Sequence, residues 1–410
     1  MCIRDRLRIH VRLSQQPPDF TEENIIYIIG GYDTYEEEEM SVVIPLDGIK
    51  MGEWNVIHLN LTEDARKYAK GGLDNAFSWI SLILDSRKGE FVEVYIDDFR
   101  IDQTYNCQYA FDLQKEMASR MARHYGITVH VGVELSASTH HMCAFGSWIP
   151  IIDLNLRSRE YTLEEVVEYV KAYGGAISLC HPFSKWKGSE LSEEEKEKVV
   201  KEAINLYVEN RCFGVDLLEV GFPDGRHGFP IESYLKLWDE LSRAGIIVTG
   251  IGVSDAHNNL SGWFSGNNFV NWIRARSVKE IDLIKGLLSG DVYMSDPTAF
   301  RGTLEFMTTD GYHMGQIIVG KKRAEIILRL FGCKPGWKIN WIVNGELKNI
   351  LSVDEEVFYF KGTINVQGFT FTRFEVYDGE RCILLTNPIY FAENIMSGLP
   401  KHRVVKQLDV

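Results

Sequence analysis

Between residues 104 and 296, capped amphipathic helices alternate with short apolar strands, and no other feature constrains the fold of this chain as tightly. A helix is expected from Asp112, with Leu113, Met117, Met121 and Tyr125 on one face and Gly126 closing it. A strand follows over 127–135. Thr162 with Glu165 has the capping-box pattern ahead of Val166, Val170 and Tyr173, and a strand at 176–180 comes next. Ser192 with Glu195 opens another helix before a strand at 215–220. Pro230 begins one more before a strand at 246–250, and Ser277 with Glu280 starts the last, ending at Gly290. Repeated βα units of this kind predict a parallel sheet or barrel.

The flanks read differently. Residues 1–103 hold strand-like runs at 24–29, 40–46, 53–61, 76–84 and 91–101, and helical signals are almost absent. An antiparallel sandwich is expected there, with Trp54 and Trp79 in its core. After Pro297, turns at Asp310-Gly311, Asn344-Gly345 and Asp378-Gly379 separate apolar runs, so a second sandwich is expected over 298–396. A polar tail covers 397–410, and the barrel region is 104–297. The class is therefore α/β plus all-β: a partial, distorted TIM-like βα barrel flanked by two β-sandwich domains. A length of 410 residues suits two or three such cores.

Charge narrows the partners. Lys and Arg number 44 and Asp and Glu 58, a net charge of −14. That argues against nucleic acid as a partner, because such binding draws on clustered cations. No apolar run approaches the roughly 20 residues that span a bilayer. The seven cysteines are scattered, odd in number and never in a CxxC pair, so neither a disulfide framework nor a structural zinc site is expected from them. The start shows no signal-peptide pattern, and the compartment is left open.

In βα folds the reactive groups gather at the C-terminal ends of strands. Here such ends carry Glu134, His181 before Pro182, and Asp255 with His257, and the short apolar stretch after Glu134 begins with the pair His140-His141. Taken singly, each has a plain structural explanation: a buried histidine, or an aspartate at a helix start. Together they favour a metal site, and imidazole with carboxylate suits zinc, manganese or iron. Arg226 and His227 follow the strand at 215–220 and lie on the same rim, where they could meet an anionic substrate. His130 is expected in the core.

Gly132-Val133-Glu134-Leu135-Ser136, His141-Met142-Cys143-Ala144-Phe145-Gly146, Ser178-Leu179-Cys180-His181-Pro182-Phe183 and Gly252-Val253-Ser254-Asp255-Ala256-His257 resemble successive motifs of the polymerase-and-histidinol-phosphatase (PHP) superfamily. The carbaryl-hydrolase-like (CehA/McbA) branch is the nearest match, over roughly residues 105–395. The stretch 52–61 with 95–101 is similar to carbohydrate-associated jelly-roll modules. The PHP resemblance implies a distorted seven-stranded βα barrel holding one to three divalent ions and hydrolysing phosphoesters or related bonds of a small-molecule or glycan-linked substrate. It makes Glu134 the bridging carboxylate, completes one ion's set with His141 and His181, and assigns Asp255 to a second ion and His257 to a third. Asp255 and His257 become the catalytic candidates, and His257 or a neighbouring histidine is expected to protonate the leaving group. Two earlier family motifs, a His-x-His and a Thr-Asp-His, have no counterpart before Glu134; His10-Val11-Arg12 puts an arginine where a ligand belongs. Either the chain is a fragment of a longer product, or it is a reduced, non-catalytic carbohydrate-associated protein with a degenerate barrel.

Overall fold

Residues that favour extended backbone dominate the start of the chain, and in the computed structural model they pair as one four-stranded sheet. The structure describes residues 6–15, 22–29, 41–50, 52–68, 75–85, 94–96, 107–136, 140–150, 161–186, 188–222, 224–255 and 269–406. It forms two compact units, Met1–Asn106 with Glu116–Ile127, and Cys107–Lys115 with Thr128–Val410. In the first, β1 (Arg6–Gln15), β2 (Glu22–Ile29), β3 (Ser41–Pro45) and β4 (Asn75–Asp85) lie in the order β3-β2-β1-β4. The β1 pairings are antiparallel and β2 runs parallel to β3.

Helix α1 (Leu61–Tyr68) brings Ala65 into the core of Ile9, Val11, Ile25 and Tyr27, and the Tyr27 hydroxyl donates to Asp64 over 2.6 Å. This corrects the strand expected at 53–61. Asn60 Oδ1 accepts the Glu63 N–H at 3.1 Å, a helix cap written plainly as Asn-x-x-Glu. One sheet with a helix stands where a sandwich was expected, and no second sheet occurs among the described residues of this unit. Trp54, expected in the core, is 74% exposed. The Trp79 side chain and most of the run 91–101 lie outside the described residues.

In the second unit the alternating segment forms β5 (Gly132–Ser136), β6 (His141–Phe145), β7 (Ala176–Leu179), β8 (Leu217–Gly221) and β9 (Thr249–Gly252), in that order across one sheet. The sheet is mixed. β5, β6 and β7 pair antiparallel, and β7, β8 and β9 pair parallel. Among the described residues it stays open, with no closed barrel. Met142, Leu179, Leu218 and Val220 face a core shared with α3 (Leu163–Ala172), α4 (Glu193–Glu209) and α5 (Ile231–Arg243). The capping boxes at Thr162/Glu165 and Ser192/Glu195 form as expected.

Two helix starts differ from expectation. Helix α2 (Cys107–Tyr125) begins before Asp112, whose carboxylate takes Lys115 at 2.6 Å and Gln108 at 3.1 Å instead of capping. Helix α6 (Glu280–Ser289) has Lys279 at its cap, because the Glu280 carboxylate is held by the Ser147 N–H and hydroxyl at 2.7 and 2.5 Å.

Among the described residues the far edge of β9 meets no further strand of its own sheet, and two asparagines stand in for one. Asn387 accepts the Gly250 N–H at 2.8 Å and donates to the Gly250 carbonyl at 2.9 Å. Asn271 does the same to Gly252, at 2.8 and 2.7 Å. A primary amide offers the same donor and acceptor as a peptide unit. Both glycines are needed, since a Cβ at Gly250 would meet the Trp238 ring at 2.6 Å and one at Gly252 the Phe269 Cβ at 2.4 Å.

Two strands from before residue 297, β10 (Val270–Ile273) and β11 (Val292–Ser295), pair into the C-terminal sheet. That sheet has β13 (Ile317–Val319), β18 (Phe369–Asp378), β19 (Arg381–Thr386), β20 (Ile389–Ala392) and β21 (Val404–Lys406), with β15 (Lys338–Val343) and β16 (Glu346–Ser352) branching from β18. A three-stranded sheet of β12 (Thr303–Thr308), β14 (Arg323–Phe331) and β17 (Val357–Asn365) packs on it through Phe306 against Phe374 and Trp341 against Phe360, at ring distances of 5.0 and 5.1 Å. The residues read as a polar tail include β21 and the buried Arg403. Arg373 on β18 reaches α5, donating to both oxygens of Asp239 at 2.9 and 2.7 Å and to Glu375 at 2.6 Å.

Candidate metal centre

Strand register places the chemistry on the sheet face opposite the helices α3 to α5. Glu134 is opposite Cys143, Ser136 is opposite His141, and Cys143 is opposite Ser178. Paired residues share a face, and so do residues two apart on one strand. Glu134, His141 and Cys143 therefore project together. His181 would fall on the other face if β7 continued straight, but its φ of 26° turns the chain.

The result is a tight group. His141 Nδ1 lies 2.6 Å from Glu134 Oε1, and His181 Nε2 lies 3.7 Å from the same oxygen. The two imidazole rings meet edge-on with centroids 4.8 Å apart. All three ligand atoms fall within 4.8 Å of one another. Ligand atoms about 2.0–2.1 Å from one tetrahedral ion lie roughly 3.3 Å apart, so the group needs only small movements to hold one. The Nδ1 of the buried His181 has no hydrogen-bond partner in the described structure. The backbone N–H of His181 donates to buried Glu219 at 2.7 Å, fixing the turn from beneath. Burial pulls the His181 pKa down while the charges of Asp255 and Glu134 pull it up. A neutral, oriented imidazole beside a carboxylate is the form that takes a divalent cation.

The remaining expected residues are placed differently. The Asp255 carboxylate is held by Arg226, which also donates to the Ser254 carbonyl at 2.7 Å. Asp255 is close enough to act electrostatically on His181 and His227, but it is not in the group of three. Arg226, read as a substrate contact, is thus engaged with the Asp255 loop. His227 stands beside His181 at a ring distance of 5.3 Å, its Nε2 buried and unpartnered among the described residues, and burial holds its pKa near about 4. His257 lies outside the described residues. His140 packs its ring against Phe213 at 5.0 Å, and His130, expected in the core, bonds the Val278 carbonyl at 2.8 Å at the surface.

His181, His227 and Asp255 share an unusual backbone, with φ of 26°, 52° and 46°. Left-handed backbone costs a non-glycine residue roughly 1–2 kcal/mol, and such strain gathers at sites of function. Each follows the end of a strand, so the turns that strain these residues also aim them at one rim.

Glu219 was missed by sequence reasoning, although a lone carboxylate within the apolar run Leu217-Leu218-Glu219-Val220 is itself a signal. Burial pushes its pKa up to about 7. Cys143 and Cys180 were set aside for lacking CxxC spacing, yet their sulfurs lie 3.2 Å apart.

No helix among the described residues is long and apolar enough to cross a membrane. No protein-family model matches the chain, and no curated protein does. Among solved structures, a CARDB domain from Pyrococcus furiosus, crystallised with di-metal ions, is 14% identical and covers 23% of this chain and 96% of its own, with a TM-score of 0.17. An endo-beta-1,4-mannanase from Thermotoga petrophila is 12% identical and covers 50% of this chain and 45% of its own, also at 0.17. Similarities this slight carry no argument about fold or activity.

Proposed function

We propose that this chain is a divalent-metal-dependent hydrolase of the PHP type, its open sheet part of a distorted βα barrel, acting on a phosphoester or an ester or carbamate-like bond. One observation carries the reading: Glu134 Oε1 sits 2.6 and 3.7 Å from the nitrogens of two histidines supplied by different strand ends. Glu134, His141 and His181 would hold zinc, manganese or iron. Such an ion supplies Lewis acidity, bringing the pKa of water down to about 7. Glu134 and His141 would orient that water against the sheet face, and Glu219, by accepting the His181 backbone N–H, holds the turn that carries His181. Asp255 and His257 are the proposed second ligand set and proton donor, and His227 the group facing an anionic substrate.

Metal-stripped protein reconstituted with zinc, manganese or iron should hydrolyse p-nitrophenyl phosphate or p-nitrophenyl acetate. Chelation should abolish the activity and added ion restore it. Protein that binds none of these ions, or that binds them and leaves both esters intact, would sink the reading. The exposed Trp54 favours a second one, a carbohydrate-associated module. Its mark would be oligosaccharide binding by metal-free protein, weakened at least roughly tenfold in Trp54→Ala, as stacked aromatic anchors commonly show.

A further inference from the structure

The face that carries the proposed ion site continues downward into a second group of donors. Cys180 lies two residues beyond Ser178, and Glu219 two beyond Leu217, the partner of Ser178 in the parallel β7–β8 ladder. That register sets Cys180 and Glu219 side by side, while Cys143 comes from the opposite neighbour, β6. The three ligand atoms lie within 4.8 Å of one another. Cys180 and Glu219 are 3% and 5% exposed.

We propose that Cys143, Cys180 and Glu219 form a second, sulfur-rich metal site that selects a thiophilic divalent ion such as zinc, distinct from the imidazole–carboxylate site above it. Three arguments converge. Two thiolates about 2.3 Å from one tetrahedral ion are roughly 3.8 Å apart. A disulfide needs about 2.05 Å. The observed 3.2 Å must open by about half an ångström for the first and close by more than one for the second. Ligand chemistry adds that sulfur favours zinc over manganese, whereas the Glu134 group accepts either. Finally, a buried carboxyl and a buried thiol gathered with a half-buried second thiol form a polar cluster that apolar packing does not require, and a cation gives all three one partner.

Binding is balanced by proton release: each thiol loses its proton to solvent as its sulfur takes the ion, and Glu219 binds as its carboxylate, giving up to solvent any proton it holds. A water completes four-coordination. The two sites are joined covalently at Cys180-His181 and by the hydrogen bond from His181 N–H to Glu219. Filling the lower site fixes the strand end that carries His181, so it should tighten the upper one.

The test uses cobalt(II) chloride as the probe, titrated into the full-length, chelator-stripped, reduced protein. Thiolate bound to cobalt gives an intense near-ultraviolet charge-transfer band that imidazole and carboxylate ligands do not. The expected result is such a band in the wild type, kept in Glu134→Gln and reduced by half or more in Cys143→Ser. The wild-type spectrum decides even where a variant fails to fold. Absence of the band at saturating cobalt would overturn the proposal. So would a mass lower by two hydrogen atoms under mild oxidation, the electrons passing to the added oxidant, together with a wild type that shows no band, because the pair would then be a redox couple. A band without ester hydrolysis would leave this site standing and remove only the hydrolase reading.

Discussion

Arg373→Ala is expected to lower the stability of this protein by about 3–5 kcal/mol, read from urea denaturation at neutral pH. Arg373 on β18 is fully buried against α5, and its guanidinium meets Asp239 through two parallel bonds and Glu375 through a third. Two carboxylates are therefore compensated by one cation. Removing it strands both in low dielectric, and that uncompensated charge sets the size of the loss. A variant that replaces Arg373, Asp239 and Glu375 together with apolar residues of similar volume should recover most of it. A loss below about 1 kcal/mol in the single variant would mean that water reaches the group after all.

Glu134→Ala should weaken metal binding at least roughly 100-fold, measured by competition with a chromogenic chelator. Loss of an outer hydrogen-bond partner alone costs 10–100-fold, and Glu134 touches both histidines directly. The same substitution should cost more metal than His257→Ala, because the carboxylate serves two ligand sets in the proposed arrangement. Equal losses would count against that assignment. His141→Ala should fall between the two, since His141 contributes one nitrogen and has Glu134 as its partner.

How far such a site was legible from the chain depends on the range of the interaction. Local patterns carried over well: Thr162 with Glu165 and Ser192 with Glu195 cap the helices they announce, because the whole device spans four residues. Glu280 shows the limit. Its capping box is overruled by Ser147, 133 residues away, which no window on the sequence contains. Glu134, His141 and His181 were found because each stands on or just beyond a short apolar strand, a position that sequence rhythm marks. Their distances were not readable, nor was the pairing of Arg226 with Asp255, because both depend on how loops fold back. The alternation of helix and strand also suggested parallel pairing throughout. The antiparallel turn of β5 to β7 escaped it, since short apolar strands look alike in either direction.

The amide pairs at Gly250 and Gly252 carry a consequence for engineering. They occupy the outward peptide groups of Gly250 and Gly252, so this part of the margin does not recruit a neighbouring polypeptide in the way that unguarded margins seed swapping and fibre growth.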